Sequence, residues 1–250
     1  MHDLQSYIRT TAARGRETEQ VGPFLATFSP HSDNPFLNYA IPDDDSVPTV
    51  SDVDGLIEAY RRRSLSPRLE FLTEAAPQVE AVLAERGFAL ERRVPLMICP
   101  RDEVTAQRVP ECVELLTPDL DLEYRAMIEA QNEAFGETGP ISDEDVDRAR
   151  ELPERGGIAL LAVHAISGDP VGGGFATALL DGTTEVAGIG VREKYQRRGV
   201  AGAIVESLTR EAHSRGAHTV FLTPGHGPAQ RVYTRVGYRT AGECVHLSIA

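Results

Sequence analysis

Residues 189–202 read IGVREKYQRRGVAG, and they pass from a strand-like apolar run into a stretch of small residues. The helix predicted over 199–215 buries Val200 and Ile204 on one stripe, so residues 199–202 form its first turn. Backbone N–H groups in a first turn lack partners, and the helix dipole adds partial positive charge there. We therefore expect an anion at this turn, where small side chains let a pyrophosphate approach the backbone.

Three residues of this turn resemble a known signature. Gln196, Gly199 and Ala201 fit the coenzyme A pattern of the GNAT acetyltransferases, which is Gln or Arg, two residues, Gly, one residue, and Gly or Ala. The alternative is an ordinary strand-to-helix turn with two solvated arginines. The resemblance implies acetyl-CoA as cofactor, held by Ile189, Gly190, Val191, Gln196, Arg197, Arg198, Gly199, Val200, Ala201 and Gly202.

A second segment resembles the last helix of the same family. Residues 226–238 read HGPAQRVYTRVGY, against the family pattern Asn-x-x-Ala-x-x-x-Tyr-x-x-x-Gly-Phe. The resemblance makes Tyr233 the general acid, because a phenol with a pKa of about 10 is protonated at neutral pH. Tyr233 also lies on an apolar stripe, so the alternative is a core residue. His226 replaces the asparagine that contacts the cofactor, and it is either a substitute contact or an exposed loop histidine.

The strand before the turn carries the remaining candidates. In the family this strand diverges from its neighbour, and its backbone groups bind pantetheine and the thioester oxygen; Ile189 and Val191 hold those positions. Glu185 begins the strand, where one branch of the family has its general base. The alternative is that Glu185 is a solvated strand residue.

An internal repeat divides the chain. Phe71-Leu72-Thr73 recurs as Phe221-Leu222-Thr223, and Gly87-Phe88 as Gly237-Tyr238, both 150 positions apart (221 − 71 and 237 − 87). Each half reads strand, helix, strand, helix, glycine, strand. We predict two similar lobes of α/β (α+β) class, with a mixed, largely antiparallel sheet flanked by helices, as in the GNAT fold.

The polar stretch 100–110, bounded by prolines, predicts the connection between the lobes. We expect a degenerate GNAT-like lobe over 1–105 and a catalytic domain over 112–250. At the repeat offset Tyr233 corresponds to Leu83 and Gly199 to Thr49, so the first lobe lacks this chemistry.

Composition narrows the function classes. The net charge of −13 and the lack of basic runs argue against nucleic-acid partners and mildly favour a cationic amine substrate. No segment resembles a leader or a membrane span. Three widely spaced cysteines, Cys99, Cys112 and Cys244, predict neither a disulfide framework nor a metal site and fit the cytoplasm.

The leading hypothesis is an N-acetyltransferase in which a small-molecule or peptide amine attacks acetyl-CoA directly. The alternative from another class is a non-catalytic acyl-CoA-binding regulatory module. Transfer of a longer acyl chain and the choice between monomer and homodimer stay open.

Overall fold

The structure is a computed structural model of the 250-residue chain, and it describes residues 1–137, 139–225 and 227–249. The chain divides into two compact units: unit 1 comprises Met1–Leu96 with Thr240–Ala250, and unit 2 comprises Met97–Arg239. This division differs from the expected domains in two ways. The stretch 100–110 lies inside unit 2, and the last strand lies in unit 1. None of the described helices is long and apolar enough to cross a lipid bilayer.

The second part of unit 2 follows the predicted order of strand, helix, strand and helix. The elements of the whole unit are β6 (Val113–Leu116), α4 (Asp121–Phe135), α5 (Asp143–Glu154), β7 (Ile158–His164), β8 (Pro170–Ala176), β9 (Thr183–Val191), α6 (Val200–Ser214), β10 (Thr219–Leu222) and α7 (Gly227–Val236). Strands β6 to β9 form an antiparallel meander, and β9 and β10 are parallel.

The sheet of unit 2 is covered on both faces. In β7, Ile158 and Leu160 belong to the core cluster that contains residues of α6, whereas Ala159 and Leu161 belong to the cluster with α4 and α5. Successive strand residues point to opposite faces, so a strand buried on both sides reads as a continuous apolar run. This explains the unbroken hydrophobic stretch that begins at Ile158.

Unit 1 repeats this plan with fewer strands. Its elements are α1 (His2–Ala13), β1 (Glu17–Val21), β2 (Phe24–Phe28), β3 (Ala40–Pro42), α2 (Val50–Arg61), β4 (Arg68–Leu72), α3 (Val79–Glu85), β5 (Ala89–Ile98) and β11 (Arg239–Ser248). The strand order is β1-β2-β3-β4-β11-β5, with β11 antiparallel to β4.

The predicted repeat is confirmed by these elements. The order β3-α2-β4-α3-β5 in the first half matches β9-α6-β10-α7-β11 in the second. Gly87 and Gly237 both have positive φ, +85° and +115°, just after the corresponding helices. Glycine adopts this left-handed conformation without a steric penalty, so the two glycines end equivalent helices. The expected mixed α/β fold with two similar lobes is therefore confirmed.

Candidate active site

Strand β9 diverges from β10 after a short paired stretch. The parallel ladder joins Thr183–Glu185 to Thr219–Phe221, and the structure gives no further pair between these strands in the part of the chain it describes. On its other side β9 remains paired with β8 as far as Val191. The last six residues of β9, 186–191, therefore leave β10 and present one edge without it.

The backbone polar groups of Val191 lie on the edge of β9 that β10 has left. Arg192 donates its N–H to the carbonyl of Val171 on the β8 side, 2.9 Å away. Because hydrogen-bonded pairs alternate along an antiparallel ladder, the N–H and C=O of Val191 point away from β8. The side-chain Nε2 of Gln196 donates to the Val191 carbonyl at 2.9 Å, so Gln196 stabilises the turn that follows β9.

A bulge and a buried glutamine shape the same strand. Gly188 has φ of +64°, and the β8–β9 register shifts beside it. Gln131 of α4 donates its Nε2 to the Gly188 carbonyl at 2.6 Å. Sequence reasoning did not predict this contact of Gln131; the available signal was a polar residue on the buried stripe of α4 that contains Tyr124 and Met127.

The first turn of α6 is open to an anion. The N-cap Gly199 has φ of +93°, and among the described residues no side chain caps this helix. The first helical hydrogen bond runs from the Ala203 N–H to the Gly199 carbonyl at 3.0 Å, so the N–H groups of Val200, Ala201 and Gly202 precede it. These donors fit a pyrophosphate.

Cations surround this turn. Arg197, with φ of +60°, and Arg198 are exposed. The guanidinium of Arg198 lies 5.9 Å, and Lys194 Nζ 5.0 Å, from the centroid of the Tyr195 ring. Positive charge thus lies beside the unpaired N–H groups of α6.

The corresponding helix of unit 1 has its first turn closed. Thr49 caps α2 and accepts from the Asp52 N–H at 3.2 Å, while the Asp52 carboxylate accepts from the Thr49 N–H at 2.7 Å. The two hydrogen bonds form a capping box, which uses the donors that an anion would need. The hydrogen bonds from Thr49 also lower the pKa of Asp52, so a negative charge occupies the site. Unit 1 therefore lacks the anion-binding turn.

Tyr233 is a buried phenol on α7. It is 8% exposed and belongs to the main core cluster of unit 2, with its ring centroid 6.3 Å from that of Tyr238. Burial raises the pKa of Tyr233 above its usual value. The phenol therefore holds its proton at neutral pH, as a general acid requires.

Of the other two predicted side chains, the structure describes Glu185 but not His226. Glu185 is half-buried and forms the last parallel pair before β9 and β10 diverge, opposite Phe221. His226 lies outside the described residues.

The stretch after β5 contacts both helices of the site. Gln107 donates its Nε2 to the Arg235 carbonyl at the end of α7, at 3.0 Å. Its Oε1 lies 3.3 Å from the position that a Cβ on Gly202 would take, at the start of α6. Sequence reasoning treated this stretch as a linker, because no local pattern reveals contacts more than 90 residues away along the chain.

An acidic cavity of about 270 Å³ lies at the end of α4, and its lining includes Glu129, Glu133 and Glu137. Arg192 pairs with Glu129 at 2.7 Å and with Glu133 at 2.9 Å. The single positive charge of Arg192 balances one of these carboxylates, so the cavity keeps a net negative charge.

Several known proteins resemble this chain. A GCN5-related N-acetyltransferase from Kribbella flavida matches at 25% identity and TM-score 0.82, over 99% of this chain and 95% of that one. One from Sphaerobacter thermophilus matches at 23% identity and TM-score 0.61, over 79% and 65%. A tandem GNAT protein from the clavulanic acid biosynthesis pathway matches in fold at 11% identity and TM-score 0.66, over 96% and 86%.

No curated protein matches the sequence significantly. The model of the Acetyltransferase (GNAT) family matches residues 124–238, which contain the divergent strand, the open turn and Tyr233. The segment 124–238 is therefore a domain of the GNAT family, and the chain as a whole shares the fold of the GCN5-related N-acetyltransferase from Kribbella flavida.

Proposed function

We propose that this chain is an N-acetyltransferase that moves an acetyl group from acetyl-CoA to a primary amine by direct attack. The observation that carries the proposal is the divergence of β9 from β10 immediately before the uncapped first turn of α6. A strand edge and a row of free N–H groups at one end of the sheet suit a ligand with a long polar arm and a pyrophosphate.

The residues that would hold acetyl-CoA follow from this geometry. Backbone groups of Ile189 and Val191 would bind the arm, and the N–H groups of residues 200–202 the pyrophosphate. Arg197 and Arg198 would add charge at the rim. When bound, acetyl-CoA supplies the acyl group as an activated thioester.

Two side chains would handle protons. Tyr233 holds a proton on its phenol oxygen and would give it to the leaving sulfur, since its raised pKa keeps the donor form populated at neutral pH. Glu185 would accept the proton of the attacking ammonium, directly or through water. We place the amine near the acidic cavity at the end of α4, whose net charge favours a cation.

We keep the cytoplasm as the proposed location, because the three cysteines are thiols in the structure. The non-catalytic alternative would bind acetyl-CoA in the same turn but release no thiol.

The test has two steps. Titration calorimetry should detect acetyl-CoA binding to the purified chain, and a thiol-release assay over a panel of small amines and peptide N-termini should detect turnover. Absence of binding by folded protein would contradict the whole proposal. Binding without turnover on any amine would favour the regulatory module.

A further inference from the structure

The proposed reaction assigns no role to Gln131, a glutamine on the buried side of α4. It is 8% exposed and belongs to the buried stripe that contains Tyr124, Met127 and Ala130. An amide removed from water costs free energy unless it is hydrogen-bonded. The Nε2 of Gln131 donates to the carbonyl of Gly188 at 2.6 Å, so this buried amide is directed at the strand that diverges from β10.

The acceptor of this hydrogen bond belongs to the bulge of β9. Gly188 has φ of +64°. The register runs from Gly173 opposite Gly190 to Phe175 opposite Ala187, so two residues of β9, 188 and 189, lie against one residue of β8. A bulge residue is left out of the regular ladder. The side chain of Gln131 supplies a hydrogen bond to the backbone at this point.

The same hydrogen bond fixes the direction of a neighbouring donor. The carbonyl of Gly188 and the N–H of Ile189 belong to one trans peptide unit, in which they point in opposite directions. Because Gln131 holds the carbonyl, the N–H of Ile189 points away from that amide. Gly190 pairs with β8, so the backbone groups of Ile189, like those of Val191, lie on the edge that β10 has left.

We propose that Gln131 is a positioning residue for acyl transfer: it holds the Gly188 carbonyl and thereby directs the N–H of Ile189 towards the thioester oxygen of acetyl-CoA. This inference rests on the proposed function. Negative charge develops on that oxygen when an amine attacks, and a donor already fixed in direction stabilises the charge without reorganising. Gln131 acts through the backbone of Ile189 and has no contact with the reacting atoms in this role.

Unit 1 contains a second buried glutamine that serves as a matched control. Gln5 of α1 is fully buried, donates its Nε2 to the Pro42 carbonyl at 3.1 Å and accepts from the Leu72 N–H at 3.0 Å. Pro42 ends β3, the strand that corresponds to β9 in the repeat. The two glutamines therefore make the same kind of hydrogen bond, but unit 1 lacks the anion-binding turn. Loss of the Gln5 amide should affect stability alone.

The experiment compares the full-length protein with its Gln131→Met and Gln5→Met variants. Methionine is an unbranched side chain of similar length that carries no N–H donor. Isotope-edited infrared spectroscopy follows bound acetyl-CoA labelled with carbon-13 at the acetyl carbonyl, because a hydrogen bond to the carbonyl oxygen lowers its stretching frequency. Calorimetry gives the affinity for acetyl-CoA, and a thiol-release assay gives kcat and the KM of the amine.

We expect Gln131→Met to raise the stretching frequency of the bound carbonyl and to lower kcat by about tenfold to 100-fold, since the N–H of Ile189 remains but is misdirected. The KM of the amine and the affinity for acetyl-CoA should stay within about threefold, because the other contacts are kept. Gln5→Met should leave the frequency and kcat at the values of the unchanged protein.

A carbonyl frequency in folded Gln131→Met equal to that of the unchanged protein would overturn the proposal, and so would equal changes in Gln131→Met and Gln5→Met. Circular dichroism checks folding; if Gln131→Met is not folded, Gln131→Asn, whose shorter side chain withdraws the amide, takes its place with the same expectation. The infrared measurement needs binding but no turnover. Absence of acetyl-CoA binding by the unchanged protein would contradict the proposed function, whereas binding with an unaltered frequency in the variant contradicts the role of Gln131 alone.

Discussion

At the scale of single residues, two buried tyrosines of the same core differ in the role that we expect for them. Tyr238 is 1% exposed, and its hydroxyl shares a hydrogen bond of 2.7 Å with Thr209, which satisfies it inside the core. Tyr233 lies beside it with a pKa raised by burial, and we assign it the proton for the leaving sulfur. The two residues are therefore a matched pair for mutation.

We expect Tyr233→Phe to lower the turnover of thiol release about 100-fold and to leave acetyl-CoA affinity within about twofold, since only the proton donor is lost. Tyr238→Phe should keep its turnover and lose about 1 kcal/mol of stability with its buried hydrogen bond. Steady-state kinetics, calorimetry and denaturant unfolding measure these quantities. Full activity in Tyr233→Phe would remove it from the mechanism.

Gly199 and Gly216 form a second matched pair, at the two ends of α6. Their φ angles are +93° and +99°, and an added Cβ meets no clash at either position. Alanine at each should cost about 1 kcal/mol of stability, because the left-handed backbone strains a side chain there. Gly199→Ala alone should weaken acetyl-CoA binding about tenfold, because relaxation of that strain redirects the N–H groups of the first turn.

Thermal unfolding measures the stability of both alanine variants, and calorimetry measures their affinity for acetyl-CoA. Equal loss of affinity in Gly199→Ala and Gly216→Ala would mean that the turn at Gly199 has no special part in binding.

At the scale of elements, the approach of α4 to β9 depends on Gly190. A Cβ at this position would lie 2.8 Å from the Cα of Gln131, so helix backbone rather than a flexible side chain would have to move. The same helix supplies the hydrogen bond from Gln131 to the bulge at Gly188. The position of the divergent strand is therefore tied to the packing of α4.

We expect Gly190→Ala to destabilise the chain by about 1–3 kcal/mol through overpacking and to lower acetyl-CoA affinity, because β9 must shift. Gly225→Ala, where an added Cβ meets nothing within 4 Å, should change stability by less than about 0.5 kcal/mol. Denaturant midpoints report the difference. A wild-type midpoint for Gly190→Ala would show that α4 is not packed as closely as the structure has it.

At the scale of the whole molecule, unit 1 is assembled from two separate parts of the chain. Residues 244–248 of β11 pair with residues 68–72 of β4, and Val245 and Leu247 contribute to the core of this unit. Unit 1 therefore cannot complete its sheet until the last residues of the chain are available.

A chain that ends at Arg239 should lose the fold of unit 1, because β4 and β5 lose the strand between them. Limited proteolysis followed by mass spectrometry should show residues 1–96 cut at least about tenfold faster than in a chain shortened by Ala250 alone. Unchanged protection of residues 1–96 would contradict this role of β11.

Much of this protein could be read from local patterns. The apolar stripe of α6, the tight turns of the meander and the repeated glycines are set by residues close together in sequence, because helix period and backbone conformation are local properties. The signature around Gly199 likewise indicated an anion-binding turn that the structure leaves uncapped.

Long-range pairing was not readable in this way. The placement of β11 beside β4, the hydrogen bond from Gln131 to Gly188 and the contact of Gln107 with α6 and α7 join residues 57 or more positions apart. Such contacts depend on strand order and helix packing, which no short window of sequence encodes. The contact of His246 with Glu70 likewise exists only because β11 pairs with β4, more than 170 residues earlier in the chain.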